Sequence, residues 1–231
     1  MFSNKIIIVT GGSQGIGKTI AQEFLKQNAK VIVFDIKKPD YSVDYFKVDV
    51  SKENEIISAM KNIKNLDILV NNAGIYFQKS VENTTLEELD KIIGINFKGP
   101  YFMCKHCLTL LKKSKGNIIN ISSGLGVKAE PESSAYCSTK AALIMLTKCL
   151  AKEYALKGIR VNAVLPGPID TPLLRAAFGS EKEIAEYAKT NPMGKIGLPI
   201  DIANLVLFLA SEKANYITGG TYNVDGGEYI S

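Results

Sequence analysis

A doubly wound α/β domain with a mostly parallel seven-stranded sheet is the fold class that three features of the sequence predict. Short, continuous, β-branched apolar runs recur along the chain, helical patterns separate most of them, and a length of 231 residues suits one domain. Continuous apolar runs belong to strands buried on both faces, as in a parallel sheet with helices on either side. The predicted strands are Lys5 to Val9, Lys30 to Phe34, Tyr45 to Val48, Asp67 to Val70, Asn117 to Ile121, Arg160 to Leu165 and Thr221 to Val224. Helices are predicted over Ile16 to Gln27, Glu53 to Ile63, Leu86 to Gly94, Gly99 to Lys113, Ser134 to Lys157 and Ile200 to Ala210. Between the second and third strands, DIKKPDYSVDYFK holds a proline and too few apolar residues for a packed crossover helix, so an irregular link is expected. PGPIDTP and NPMGKIGLP bracket Leu173 to Thr190, and a mobile substrate lid is expected within about 168–197 of the single domain 1–231. Right-handed crossovers put the helices on both faces, and the site at the carboxyl ends of the strands.

Composition narrows the function. Hydrophobic residues make up 46% and charged residues 22%, which fits a folded globular protein. The net charge of +5 comes from 28 basic and 23 acidic residues scattered singly or in pairs, a solvated surface and not a nucleic-acid footprint. No apolar run approaches the length of a membrane span, and Met1 leads into a strand-like segment without leader-like parts, so a cytoplasmic location is expected. Cys104 and Cys107 form C-x-x-C around the single histidine, His106, but Cys137 and Cys149 lie in another helix. The pair is read as small apolar helix residues, with no metal site expected.

The first strand runs through TGGSQGIG, Thr10 to Gly17, straight into a helix. Gly11, Gly15 and Gly17 allow a tight turn, approach of a pyrophosphate to backbone amides, and close packing of helix on strand. Ser13, Gln14 and Ile16 complete the loop, and neither Ser13 nor Gln14 is basic. Turns also collect glycine for steric reasons alone. The dinucleotide reading gains from Asp35, which ends the second strand, where a carboxylate accepts from ribose hydroxyls and repels a 2′-phosphate. NAD is therefore the preferred cofactor, with NADP the alternative because Lys37 and Lys38 stand nearby. Asp49 and Val50 are candidates for the adenine rim. A helix flank capped by Ser51 is a compatible reading.

In SSAYCSTKAAL, Tyr136 and Lys140 stand four residues apart on a predicted helix and share one face. An ammonium beside a phenol favours the phenolate, which makes Tyr136 a candidate acid/base. TGGSQGIG, NNAG at Asn71 to Gly74, Ser123 in NISSG, and Tyr136 with Lys140 follow in fixed order, with INFKG around Asn96, VLPGPIDTP and YITGGTYNVDGG. Over nearly its whole length the chain thus resembles the short-chain dehydrogenase/reductase family. The resemblance implies a Rossmann-type domain in which Tyr136 gives or takes the proton, Lys140 lowers its pKa and holds the nicotinamide ribose, and Ser123 hydrogen-bonds the substrate oxygen. It implies that Asn96 completes a proton relay through water and that Asn72, Ala73 and Gly74 line the cofactor, with Asn120 as a brace. Pro166 and Gly167 would face the nicotinamide ring, and Ile169 and Thr171 its carboxamide. Ser122 competes with Ser123, and the family's usual interval of thirteen positions to Tyr136 favours Ser123. The plainer readings are a turn for the serine pair and backbone satisfaction for Asn96.

The shortened link after Asp35 resembles the aldohexose dehydrogenases of that family, and the chain is also similar to 3-oxoacyl-acyl-carrier-protein reductases. Asp35 and the lack of a basic residue in the glycine loop favour the former. The expected function is NAD-dependent hydride transfer between nicotinamide and a small-molecule secondary alcohol or carbonyl, with a sugar as substrate. The alternatives are the acyl-carrier-protein reductase and, from another class, a non-catalytic cofactor-binding regulator. Pocket walls are expected from Ile75, Tyr76, Leu125, Gly126 and the lid, where Arg175, Lys182, Glu183 and Glu186 offer polar contacts. The resemblance and the long helices imply a homotetramer.

Overall fold

The computed structural model describes residues 2–229. Its strands are β1 (Ile6–Thr10), β2 (Lys30–Asp35), β3 (Asp44–Lys47), β4 (Ile68–Asn71), β5 (Asn117–Ile121), β6 (Arg160–Pro166) and β7 (Thr221–Val224). They form one sheet in the order β3-β2-β1-β4-β5-β6-β7, and every pairing is parallel. The helices are α1 (Gly15–Lys26), α2 (Glu53–Met60), α3 (Leu86–Ile93), α4 (Gly99–Ser114), α5 (Ser134–Tyr154), α6 (Pro172–Ala177), α7 (Glu181–Thr190) and α8 (Pro199–Ala210). The Rossmann-type fold class expected from the sequence is the one observed. Successive residues of β1 serve opposite faces, and Ile7, Ile8 and Val9 are fully buried. Ile7 and Val9 pack with Ile20 and Phe24 of α1 and with Val206 of α8, while Ile8 packs with Met103 and Leu111 of α4 and Ile56 of α2. A residue buried from both sides gains nothing from alternation, which is why these strands read as continuous apolar runs.

The chain moves outward from β1 to β3, then returns to the other side of β1 to begin β4. That reversal opens a crevice at the carboxyl ends of β1 and β4. No helix links β2 to β3. Instead Tyr41, Val43 and Tyr45 pack against the cluster that α1 covers, and the Tyr41 hydroxyl donates to the Gly12 carbonyl at 2.7 Å. Side chains of the link thus cover the apolar surface that a helix would bury.

Three local differences from the sequence reading have physical causes. Helix α2 stops at Met60 because the N–H groups of Asn62 and Ile63 bond back three residues, tightening the last turn. The gap predicted between α3 and α4 is a π-helical turn, Gly94–Lys98, so the two helices run on without a break. The lid folds into α6 and α7, whose amino ends are capped by Thr171 and Ser180. Among the described residues no helix is long and apolar enough to cross a membrane.

Candidate active site

The crevice is a cleft of about 800 Å³. Its walls include Gly11, Gln14, Gly15, Ile16, Asp35, Asp49, Val50, Asn72, Ala73, Gly74, Ser123, Tyr136, Lys140, Pro166, Gly167, Ile169 and Thr171, gathering most of the residues singled out from the sequence. Ser13, Gly17 and Asn96 do not line the cleft. A Cβ on Gly17 would lie 2.2 Å from the Gly11 carbonyl oxygen and 2.3 Å from Asn72 Nδ2, so Gly17 is needed for packing rather than for contact. Ser13 is turned outward by its hydroxyl, which donates to the Lys37 carbonyl at 2.6 Å.

The NNAG segment is fastened to the glycine loop. Asn72 Nδ2 donates to the carbonyls of Thr10 and Gly11, each at 3.0 Å, and Thr10 Oγ1 accepts from the amides of Asn72 and Ala73 at the same distance. Helix α1 then opens onto the cleft with no side-chain cap and no acidic residue in its first turn. Uncapped N–H groups and the positive end of a helix suit a pyrophosphate. Across the loop, the Asp35 carboxylate accepts from the amides of Ser13 and Lys37, both at 3.0 Å. A dinucleotide fits these groups: open amides for its phosphates and a fixed carboxylate for a ribose diol. Asp49 lines the cleft while its carboxylate accepts from the amide and hydroxyl of Ser51, so Ser51 serves this turn and does not cap α2.

At the other end, β5 delivers Ser122 and Ser123, and α5 delivers Tyr136 and Lys140 on one buried face. Ser122 Oγ donates to the Lys140 carbonyl at 2.8 Å, which commits that hydroxyl to joining strand and helix. Ser123 Oγ accepts from the Leu125 amide at 3.1 Å, and its own proton is left to donate into the cleft. Lys140 is 4% exposed, its ammonium donates to the Ile121 carbonyl at 3.0 Å, and it lies 5.6 Å from the centre of the Tyr136 ring. Burial brings the Lys140 pKa down to about 8. Burial likewise pushes the Tyr136 phenol up to about 12, and the neighbouring Ser123 hydroxyl offsets only part of the rise. The phenol is thus raised, where the four-residue spacing led to the expectation of a lowered one, because burial is the largest influence on it.

Asn96 sits in the π-helical turn, 1% exposed. Its Nδ2 donates to the Ile75 carbonyl and its Oδ1 accepts from the Ile75 amide, both at 2.9 Å, so one side chain fixes the peptide that leads from β4 into the substrate wall. Tyr76 follows, with its ring edge-on to Tyr136 at 5.0 Å. Asn120 Oδ1 accepts from Asn71 and its Nδ2 donates to Thr147, both at 2.8 Å, linking β4, β5 and α5 beneath the site.

The charged lid residues proposed from sequence do not line the cleft. Arg175 pairs with Asp170 and Glu181, Glu183 accepts from the Gly179 amide and the Ser180 hydroxyl, and Glu186 pairs with Lys189. Lys182 is exposed. The lid instead turns Leu173, Leu174, Phe178 and Tyr187 inward. Sequence reasoning also missed Glu228 and Tyr229, which reach the cleft from beyond β7. The one available signal was the glycine pair before them. Cys104 and Cys107 are buried thiols whose pKa values burial raises, consistent with small core residues.

The chain is similar to known proteins over almost its whole length. A family profile described as enoyl-(acyl carrier protein) reductase matches residues 11–228. The 3-oxoacyl-acyl-carrier-protein reductase of Chlamydia trachomatis is 36% identical over 97% of this chain and 97% of its own. Among solved structures, ligand-free aldohexose dehydrogenase of Thermoplasma acidophilum superposes with a TM-score of 0.94 at 36% identity, covering 99% of this chain and 95% of that one. The 3-ketoacyl-acyl-carrier-protein reductase of Brucella melitensis, complexed with NADH, gives 0.89 at 32% identity over 99% of both chains.

Proposed function

The chain belongs to the short-chain dehydrogenase/reductase family of oxidoreductases acting on CH–OH and carbonyl groups, and from that premise we propose that it is an NAD-preferring dehydrogenase of a neutral sugar. One observation carries the reading: Asp35, the open amino end of α1, Ser123, Tyr136 and Lys140 all border one cleft. Asp35 fixes the preference for NAD, and the adenosine half is held by Asp49, Val50 and the Asn72–Gly74 segment. Pro166, Gly167, Ile169 and Thr171 receive the nicotinamide half. When bound, the oxidised dinucleotide supplies the hydride acceptor and a positive charge.

Ser123 donates to the substrate oxygen and orients it. Tyr136, once its own proton has passed to solvent, takes the hydroxyl proton as a phenolate while the carbinol carbon is oxidised, and as a phenol gives a proton back in the reverse direction. Lys140, anchored on the Ile121 carbonyl, lies close enough to stabilise a phenolate on Tyr136 once it forms, and its remaining protons serve a ribose hydroxyl. Asn96 holds the Ile75 peptide and continues the proton path to solvent through water.

The test is absorbance in the nicotinamide band with NAD⁺ or NADP⁺ and neutral aldoses, polyols and secondary alcohols, alongside NADH or NADPH with acetoacetyl thioesters. Sugar-dependent reduction of NAD⁺ is expected. Thioester-dependent oxidation of NADPH without sugar oxidation would move the assignment to a 3-oxoacyl-acyl-carrier-protein reductase and overturn the use made of Asp35.

A further inference from the structure

Beyond β7 the chain makes a turn governed by one side chain. The Asp225 carboxylate accepts from the amides of Gly227 at 2.9 Å and Tyr229 at 3.2 Å, which holds Asp225–Tyr229 in a single shape. The neighbouring surface is moulded to receive it. A Cβ on Gly124 would fall 1.9 Å from the Tyr229 ring, and one on Gly167 would fall 2.6 Å from the Asp225 Cα. The segment therefore packs directly on the residue after Ser123 and the residue after Pro166, at the reacting end of the cleft.

Glu228 is held from two sides. The Tyr187 hydroxyl donates to Oε1 at 3.1 Å and Asn191 Nδ2 donates to Oε2 at 3.0 Å. Asn191 is 3% exposed and also donates to the Asp225 carbonyl at 2.7 Å, so it ties the carboxylate to the turn that carries it. Each oxygen of an ionised carboxylate accepts more than one hydrogen bond, and Glu228 lines the cleft with capacity to spare. No ion pair engages it among the described residues. Glu130 and Lys128 also line the cleft, as do Lys91 and Lys140, and Lys128 Nζ lies 5.5 Å from the centre of the Tyr229 ring. The free lone pairs of Glu228 accept O–H donors and its charge opposes an anion at that point of the wall, while the rings of Tyr76 and Tyr229 offer apolar faces to a compact substrate.

We infer that Glu228, set in the Asp225–Tyr229 turn, is a specificity-determining residue that accepts a hydroxyl of a neutral sugar and discriminates against anionic substrates. The inference rests on the proposed reading as a sugar dehydrogenase and assigns its selectivity to a named carboxylate. The experiment compares kcat/KM for glucose and galactose with that for glucuronate and galacturonate in the wild type, Glu228→Gln and Tyr187→Phe.

Glu228→Gln keeps the shape and removes the charge. The preference for neutral over anionic sugars is expected to narrow by about tenfold or more, with KM for NAD⁺ unchanged. Tyr187→Phe keeps the charge and removes one of its two donors, so KM for neutral sugars is expected to rise a few-fold, roughly, while the neutral-to-anionic preference stays. Sugar oxidation with an unchanged preference in Glu228→Gln overturns this inference alone. So does an unchanged sugar KM in Tyr187→Phe, which applies even if Glu228→Gln does not fold. A wild type that oxidises no neutral sugar and reduces acyl thioesters overturns both this inference and the reading beneath it.

Discussion

Replacing Asp35 by alanine tests cofactor choice at one carboxylate. The wild-type group is half-buried and held by the Ser13 and Lys37 amides, each at 3.0 Å, so its position is fixed before any ligand arrives. A ribose 2′-phosphate within hydrogen-bonding reach would bring like charges to about 4 Å, at a cost of about 1–2 kcal/mol per unit charge at a site between bulk water and interior. A phosphate monoester carries about −1.5 to −2 near neutrality, so repulsion amounts to about 2–4 kcal/mol. Losing the carboxylate also removes charged acceptors for the ribose diol of NAD, worth about 1.5–3 kcal/mol before water competes. The two amides, released in Asp35→Ala, become donors for the phosphate. Together, about 3.5–7 kcal/mol, these effects shift the ratio of kcat/KM for NAD⁺ to that for NADP⁺ by about 300-fold to 10⁵-fold toward NADP⁺. Initial rates with each dinucleotide at low and high salt provide the measurement, since screening weakens the repulsive part alone. A ratio that moves less than about threefold would refute the electrostatic argument and assign selection to the shape of the loop.

Tyr136→Phe keeps ring packing against Tyr76 and removes the titrating proton, so kcat should fall by about 10³ while calorimetry finds NAD binding within about twofold of wild type. The two serines should separate: Ser122→Ala loses its bond to the Lys140 carbonyl and costs about 1 kcal/mol of stability with modest loss of kcat, whereas Ser123→Ala loses kcat with its melting point nearly kept. For Lys140, a folded pKa of about 8 against 10.5 unfolded means that the unfolded chain binds more protons between those values, so stability rises with pH there. From pH 7.5 to 9.5, urea unfolding should show the wild type gaining about 2 kcal/mol relative to Lys140→Met, and parallel profiles would refute the burial argument. Tyr136, raised to about 12, acts in the opposite direction only above pH 10. If the chain assembles as its family resemblance implies, light scattering should report a homotetramer and not a 25.2 kDa monomer, and charged substitutions at exposed Tyr101 of α4 and Met145 of α5 should weaken it.

What the sequence disclosed follows from which interactions are local. The middles of β1 (Ile7–Val9) and β2 (Val31–Phe34) are apolar at every position because both faces are buried, and that signal needs no partner to be legible. Tyr136 and Lys140 are legible because helical geometry alone puts positions four apart on one face. The π-helical turn left no mark in composition, because its shape depends on Asn96 finding the Ile75 peptide across the fold. Glu228 was hidden for the same reason: its place depends on Tyr187 and Asn191, which lie 41 and 37 positions away. The direction of the Tyr136 shift was misjudged because spacing reports a neighbour's charge and says nothing of burial. Burial is the largest cause of the raised phenol.

The parallel sheet explains why acid/base and cofactor groups share one edge. Strands that all point the same way bring their last carbonyls to that edge, and the helices that follow them begin there with unpaired amides. Ile121, the last residue of β5, gives its carbonyl to the Lys140 ammonium, while α1, entered directly from β1, presents amides with neither cap nor acid. One edge thus holds a cation on a strand carbonyl and, across the glycine loop, attracts an anion to a helix end. The same topology makes Lys140 costly, since a helix packed on a sheet desolvates whatever it carries inward. That cost has a chemical use: a desolvated ammonium beside a desolvated phenol responds strongly to added positive charge, whereas the same pair in water would scarcely respond.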